Sequence, residues 1–286
     1  MPELPEAETI RRGLAAPLRG RVVRRVRIPR PDLLTQESDR FTSLVEGARF
    51  LDVGRRGKNL VFELAAVDEN DPHLRMVVNL GMSGGMTLLR ADDDSTGPSH
   101  PGVVFDLDGE GALIYHDVRR FGRLTAFGSR AFSNWSQALG PEPLDSSFTP
   151  SSLADGLSGS RSPIRSWLLD QKRIAGVGNI YANEALFGAR IHPRTPANRI
   201  SADDSRGLHH ALQGILRDAI RARGTTLQDY RTALGTPGSY ASDLRVYGRE
   251  GRPCARRCGG TVERLVFSNR SSFFCPRCQP EPSSLN

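Results

Sequence analysis

The sequence predicts an α+β protein in three parts: a helix and β-sandwich domain over residues 1–131, a helical domain over 132–245, and a small hairpin domain over 246–286. Three observations predict it. After one N-terminal helical segment, the first part is a succession of short β-type runs broken by Gly, Pro and Asp turns, the pattern of a sandwich or barrel. Beyond residue 160 the apolar period becomes helical. All four cysteines fall after Tyr247.

The opening stretch, MPELPEAET, starts a helix. Pro5 suits a first turn, acidic residues there complement the helix dipole, and Ala7, Ile10 and Leu14 recur at helical spacing. The strand candidates are VVRRVRI from Val22, LVFEL from Leu60, RMVVNL from Arg75, VVFDL from Val103, ALIYH from Ala112 and RLTAF from Arg123. ADDDSTGPSHPG from Ala91 reads as a solvated loop, its aspartates as surface charge rather than a metal site. From about 130 to 160 the chain is rich in Ser, Gly and Pro, which predicts an interdomain connection with at most short helices. Helices are then expected in SPIRSWLLDQ from Ser162, in NIYANEALFGA from Asn179 and in a long segment opened by a cap-like Ser201, with Gly224 as its stop.

No apolar run reaches membrane-spanning length, and the N-terminus lacks a basic region followed by an apolar stretch, so the expected compartment is the cytoplasm. A formal net charge of +7 points to a polyanionic partner, nucleic acid rather than membrane, because no basic amphipathic helix stands out. Lys58 and Lys172 are the only lysines among 39 basic residues. Where the chain needs only positive charge it writes arginine, which singles those two positions out.

The tail holds CARRC at 254–258 and CPRC at 275–278. Two close cysteine pairs joined by a hairpin-length spacer can converge Cys254, Cys258, Cys275 and Cys278 on one tetrahedral Zn2+. Disulfides are the alternative, and a cytoplasmic location disfavours them. Four protein ligands leave no open position, so the zinc would be structural. The spacer reads as two strands around Ser268-Asn269-Arg270, and a pinned hairpin with arginine near its tip can enter a DNA groove. Gly176 and Gly178 precede a helix start at Asn179, where backbone N–H groups and the helix dipole suit a phosphate; in isolation an ordinary tight turn is the plainer reading, but Lys172 beside it and the basic total favour a DNA phosphate.

The motifs PELPEAET at the start, RRGKNL at 55–60, NLGMSG at 79–84, DVRRFG at 117–122, LGPEPL at 139–144, AGVGNIYANEALF at 175–187, GTTLQDY at 224–230, VYGREG at 246–251 and the closing NRSSFFCPRCQ run end to end. In that order they resemble the bacterial formamidopyrimidine-DNA glycosylases (Fpg/MutM) of the Fpg/Nei family. The resemblance implies an N-terminal helix and β-sandwich, a helical domain with a helix-two-turn-helix motif, and a C-terminal zinc finger hairpin. It implies a monomeric, nucleoid-associated base-excision enzyme acting on double-stranded DNA with oxidised bases or abasic sites. Proline at position two permits removal of Met1, and the exposed secondary amine of Pro2 would attack the sugar, with Glu3 moving protons there and Glu6 supporting the site. Lys58 matches the family's active-site lysine; read from the residues alone it is a hairpin-turn residue. Met82, Arg119 and Phe121 match the residues that fill the gap left by an extruded nucleotide, although core packing explains Met82 and Phe121 equally well from sequence. Asn179 and Arg270 match phosphate contacts, and Arg161 stands where the family often has lysine.

Three departures accompany the resemblance. The first cysteine pair is C-x3-C where the family usually has C-x2-C, Asn79 replaces a common histidine, and LGTPGSYA follows the usual loop pattern only in part. A Nei-type enzyme for oxidised pyrimidines is the neighbouring alternative, but that branch typically begins Pro-Glu-Gly-Pro-Glu. A damage-sensing zinc protein without catalysis would have no need of Pro2, Glu3 and Lys58 together.

Overall fold

Residues 2–66, 73–90, 97–228, 230–267 and 269–282 are described by a computed structural model. Met1, the aspartates at 92–94, Asp229 of GTTLQDY and Ser268 of the expected hairpin turn lie outside the described residues. The chain divides into two compact units, Met1–Ala138 with Ile220–Ala241, and Leu139–Ala219 with Ser242–Asn286. No helix among the described residues is long and apolar enough to cross a membrane.

In the first unit, helix α1 (Leu4–Leu18) buries Leu4, Ala7, Ile10, Leu14 and Leu18 completely. The following elements are β1 (Val23–Arg27), α2 (Ser38–Val45), β2 (Arg49–Arg56), β3 (Asn59–Ala65), β4 (His73–Asn79), β5 (Gly85–Leu89), β6 (Pro101–Leu107), β7 (Ala112–His116), β8 (Arg123–Phe127) and α3 (Ser129–Gln137). The strands form two four-stranded antiparallel sheets, ordered β1-β6-β7-β5 and β2-β3-β4-β8. Their inward residues share one core: Phe105, Leu113 and Tyr115 from the first sheet meet Phe50, Phe62, Met76 and Leu124 from the second. Phe50 and Phe62 pack edge to face at 5.9 Å. This is the expected sandwich.

Each strand run named from the sequence lies on a strand; β2, β5 and α2 are additional. In β2 only Phe50 and Val53 are buried, and the rest of RFLDVGRR is glycine, charge and one exposed leucine, so its alternation is masked. Helix α2 buries Phe41 and Val45, one turn apart, with Leu44 partly buried against the same core.

The second unit holds α4 (Pro150–Ser158), α5 (Ile164–Leu169), α6 (Asn179–Ala189) and most of α7 (Ala202–Arg221), together with a hairpin of β9 (Glu263–Phe267) and β10 (Arg270–Phe274). The Ser201 cap forms as expected, its hydroxyl accepting the Asp204 N–H at 3.1 Å. The hairpin pairs Phe267 with Arg270 and Glu263 with Phe274. Residues 220–241, which the sequence groups with the helical domain, belong with the N-terminal unit because they pack along α1: Ala233 Cβ lies 3.2 Å from where a side chain at Gly13 would begin.

Candidate active site and metal centre

The start of α1 is anchored by one carboxylate. Glu6 Oε2 accepts the Glu3 N–H at 2.8 Å, and Oε1 accepts the Thr225 N–H at 2.7 Å from a segment 219 positions away. Pro2, Glu3 and Glu6 are all buried. Gly224 has a left-handed φ of +86°, and a Cβ there would meet Glu6 Oε1 at 3.0 Å, so only glycine lets this segment approach. Tyr230 packs nearby; burial and then the Glu6 charge push its phenol well above the usual range. Glu8, two residues further along α1, is drawn up by burial, but hydrogen bonds from Arg11 and Arg12 and the charge of Arg55 hold its carboxyl below the ordinary value.

Arg55 lies 3.4 Å from Glu8 and so brings the β2–β3 hairpin against α1. Lys58 occupies the two-residue turn of that hairpin beside Gly57, whose φ is +60°. The Asn59 amide closes the turn by donating to Arg56 O at 3.0 Å. Asn79 Nδ2 donates to Asn59 Oδ1 at 2.8 Å, and Asn79 Oδ1 accepts the Gly81 N–H at 2.9 Å. Asn79 thus ties the Lys58 turn to the turn that bears Met82. Met82 and Phe121 are exposed, 37% and 54%, which rules out core packing for both. The Arg119 guanidinium lies over the Phe121 ring at 5.0 Å.

In the second unit, Arg165 is fully buried. Its Nη2 donates to Asn179 Oδ1 at 2.7 Å and to Ser271 O at 3.0 Å, while Asn179 Nδ2 also donates to Ser271 O at 3.0 Å. Asn183 continues the network, its Oδ1 accepting Ser272 Oγ at 2.8 Å and Phe273 N at 2.7 Å. Burial, then the neighbouring Arg270 charge, brings the Arg165 guanidinium down to about 10. Asn179 is therefore held in place by Arg165 and by Ser271, the residue after the exposed Arg270, and Arg161 is also exposed. The glycine turn differs from expectation: Gly176 and Gly178 are buried, and the Gly176 N–H donates to Gln171 Oε1 at 2.9 Å.

The four cysteine sulfurs lie within 4.8 Å of one another, with Cys254–Cys278 at 3.7 Å and Cys258–Cys275 at 3.6 Å. None forms a disulfide. Tetrahedral thiolate ligation at about 2.3 Å requires sulfurs about 3.8 Å apart, so the set fits a metal ion. The Gly260 N–H draws the Cys258 thiol down to about 7, while burial pushes Cys275 up. A Cβ at Gly260 would meet Cys275 Sγ at 2.9 Å, so the knuckle needs glycine there.

Family models agree with these parts in order: the formamidopyrimidine-DNA glycosylase N-terminal domain matches residues 1–124, its H2TH domain 139–231, and the zinc finger found in FPG and IleRS 251–280. The formamidopyrimidine-DNA glycosylase of Chloroflexus aurantiacus is 42% identical over 280 residues, covering 98% of both chains. That of Paracoccus denitrificans is 41% identical over 286 residues, covering 98% of this chain and all of the relative. The chain belongs to the formamidopyrimidine-DNA glycosylase family. Its fold is close to that of the Lactococcus lactis Fpg in complex with abasic-site DNA, with a TM-score of 0.87 at 31% identity over 98% of this chain and 100% of the other. A point variant of that enzyme in complex with Fapy-dG DNA gives a TM-score of 0.88 at 30% identity, with the same coverage.

Against the glycosylase family, two departures acquire a physical reading. Asn79 is an internal bridge between two turns. Within the C-x3-C knuckle, Arg256 reaches the end of α6, its Nη2 donating to Phe187 O at 3.3 Å and Gly188 O at 2.8 Å. Sequence reasoning missed Arg165, Arg256 and Glu184. Burial drives the Glu184 carboxyl up, against the N–H groups of Arg245, Val246 and Tyr247 that bind it. No residue spacing announces these roles.

Proposed function

We propose that this protein is a bifunctional DNA glycosylase and abasic-site lyase of base excision repair. It removes oxidised purines from duplex DNA as a monomer in the cytoplasm, at the nucleoid. After loss of Met1, the Pro2 nitrogen attacks the sugar C1′ and the damaged base leaves with the bonding electron pair. α-Amino groups titrate at about 7.7–8.0, so an appreciable fraction is neutral and nucleophilic. The C1′–O4′ bond then opens, O4′ taking a proton from Glu3, and because the amine is secondary the product is an iminium that is cationic without protonation; this electron sink acidifies the C2′ proton. Loss of that proton expels the 3′ phosphate, a second elimination expels the 5′ phosphate, and water then hydrolyses the iminium, releasing the sugar fragment and restoring the Pro2 amine. Glu3 supplies and takes protons at the sugar, and Lys58 binds phosphate near the nucleophile.

Met82, Arg119 and Phe121 fill the gap left by the extruded nucleotide, offsetting unstacking that costs a few kcal/mol. Asn179, Arg270 and Arg161 hold backbone phosphates. Cys254, Cys258, Cys275 and Cys278 hold one structural Zn2+, which fixes the hairpin bearing Arg270.

The observation that carries this reading is the anchored start of α1 in a chain of this family: Glu6 binds the Glu3 N–H and the Thr225 N–H, so residue 2 extends from a fixed backbone. Borohydride added during reaction with 8-oxoguanine duplex should trap a stable protein–DNA adduct that maps to residue 2. An adduct on a lysine, or none with active protein, would sink the assignment. A parallel duplex carrying an oxidised pyrimidine tests the Nei-type alternative.

A further inference from the structure

Met82 stands on the turn after β4, while Arg119 and Phe121 stand on the segment between β7 and β8. One buried carboxylate binds both. Asp117 Oδ1 accepts from Ser83 Oγ at 2.7 Å and from Arg119 N at 3.2 Å; Oδ2 accepts from Gly122 N at 2.8 Å and from Tyr115 Oη at 3.2 Å. Ser83 Oγ also accepts the Arg119 N–H at 3.1 Å. Asp117 and Ser83 are 2% and 6% exposed. The backbones touch directly: a Cβ at Gly81 would fall 2.4 Å from Gly122 N and 2.7 Å from Phe121 C, and one at Gly122 would overlap Tyr115 Oη. Upon this rigid base stand three exposed apolar side chains, Met82, Val118 and Phe121. A surface built so tightly beneath apolar residues in water is prepared for a contact.

We propose that Asp117 is a positioning residue that presents Met82, Arg119 and Phe121 as one preassembled wedge, so that extrusion of the damaged nucleotide costs no loop ordering. The proposal rests on the glycosylase reading above. Asp117 touches neither the sugar nor the base. It acts through the backbone N–H groups of Arg119 and Gly122 and through the Ser83 hydroxyl.

Asp117→Asn keeps the shape but replaces one acceptor oxygen with a donor. The Ser83 and Tyr115 hydroxyls can rotate to suit it; a backbone N–H cannot, so either Gly122 loses its acceptor or Arg119 loses its charged acceptor and keeps Ser83 Oγ alone. Single-turnover excision of 8-oxoguanine opposite cytosine should fall about tenfold or more, the fold-change expected when a buried donor loses a charged acceptor. Cleavage of a preformed abasic site, where no base must be extruded, should fall by a smaller factor. In a Phe121→Ala background the Asp117→Asn effect should shrink, because the group being positioned is gone. Ser83→Ala, a milder change, should show the same pattern at smaller size even if Asp117→Asn folds poorly.

Wild-type excision by both variants would overturn the proposal. So would equal losses on the two substrates, or an undiminished effect in the Phe121→Ala background. Wild-type protein that cleaves neither substrate would overturn the glycosylase reading, and the wedge with it.

Discussion

Lysine at position 58 is a choice this chain rarely makes, and the turn around it is tightly specified. Gly57 supplies a left-handed φ, Asn59 closes the turn, and Asn79 ties it to the next strand. A guanidinium is planar and bulkier than an ammonium and does not act as a compact point charge. Lys58→Arg should therefore retain much of the salt-dependent binding to undamaged duplex yet lose base excision, with a smaller loss of cleavage at abasic sites. Titration against salt, beside single-turnover excision of 8-oxoguanine, separates the two. Excision at the wild-type rate would mean that only charge matters there. The turn that carries Lys58 is legible in the sequence because its residues in RRGKNL are contiguous. Asp117 and Arg165 were not: the donors to Asp117 come from residues 83, 115, 119 and 122, and the acceptors of Arg165 from 179, 267 and 271. Hydrogen-bond hubs of this kind leave no period and no spacing to read.

Helix α6 is held at both ends by the cysteine-bearing tail. At its start, Asn179 and Arg165 bond Ser271 of β10; at its finish, Arg256 caps the carbonyls of Phe187 and Gly188 and stacks over the Phe187 ring at 5.1 Å. A cation at a helix C-terminus is favourable, and hydrogen bonds to a charged donor are the stronger kind. Arg256→Ala should cost the second unit about 1–2 kcal/mol, read as a lower melting temperature, without reducing metal content. Loss of metal together with stability would show instead that Arg256 shapes the knuckle. At this scale the sequence is most informative where periodicity is clean: α6, α7 and the hairpin fall where the pattern puts them. It misses β2, whose glycine and arginines hide the alternation, because only two of its residues reach the core.

At the scale of the whole molecule, the four-cysteine cluster and the sandwich each have a hydrophobic core of their own. Cys254 and Cys275 lie in a small core with Phe187, Val246 and Val262, apart from the sandwich core. Metal analysis should find about one zinc per chain. Chelation should unfold this small core and abolish tight DNA binding while the sandwich melts as before; a single shifted transition would show instead that the units are thermodynamically one. The sandwich unit has a feature of another kind. Glu6 finds its second partner at Thr225, so the start of α1 is finished by chain 219 positions further on, which emerges from the ribosome later. Until residues 220–241 are made, Glu6 lacks the Thr225 N–H and Gly13 lacks Ala233. A chain cut short before then carries Pro2 without the segment that closes over α1. The order of synthesis thereby leaves the start of α1 unfinished until late: Glu6 gains its second partner only once the segment that carries Thr225 has been made.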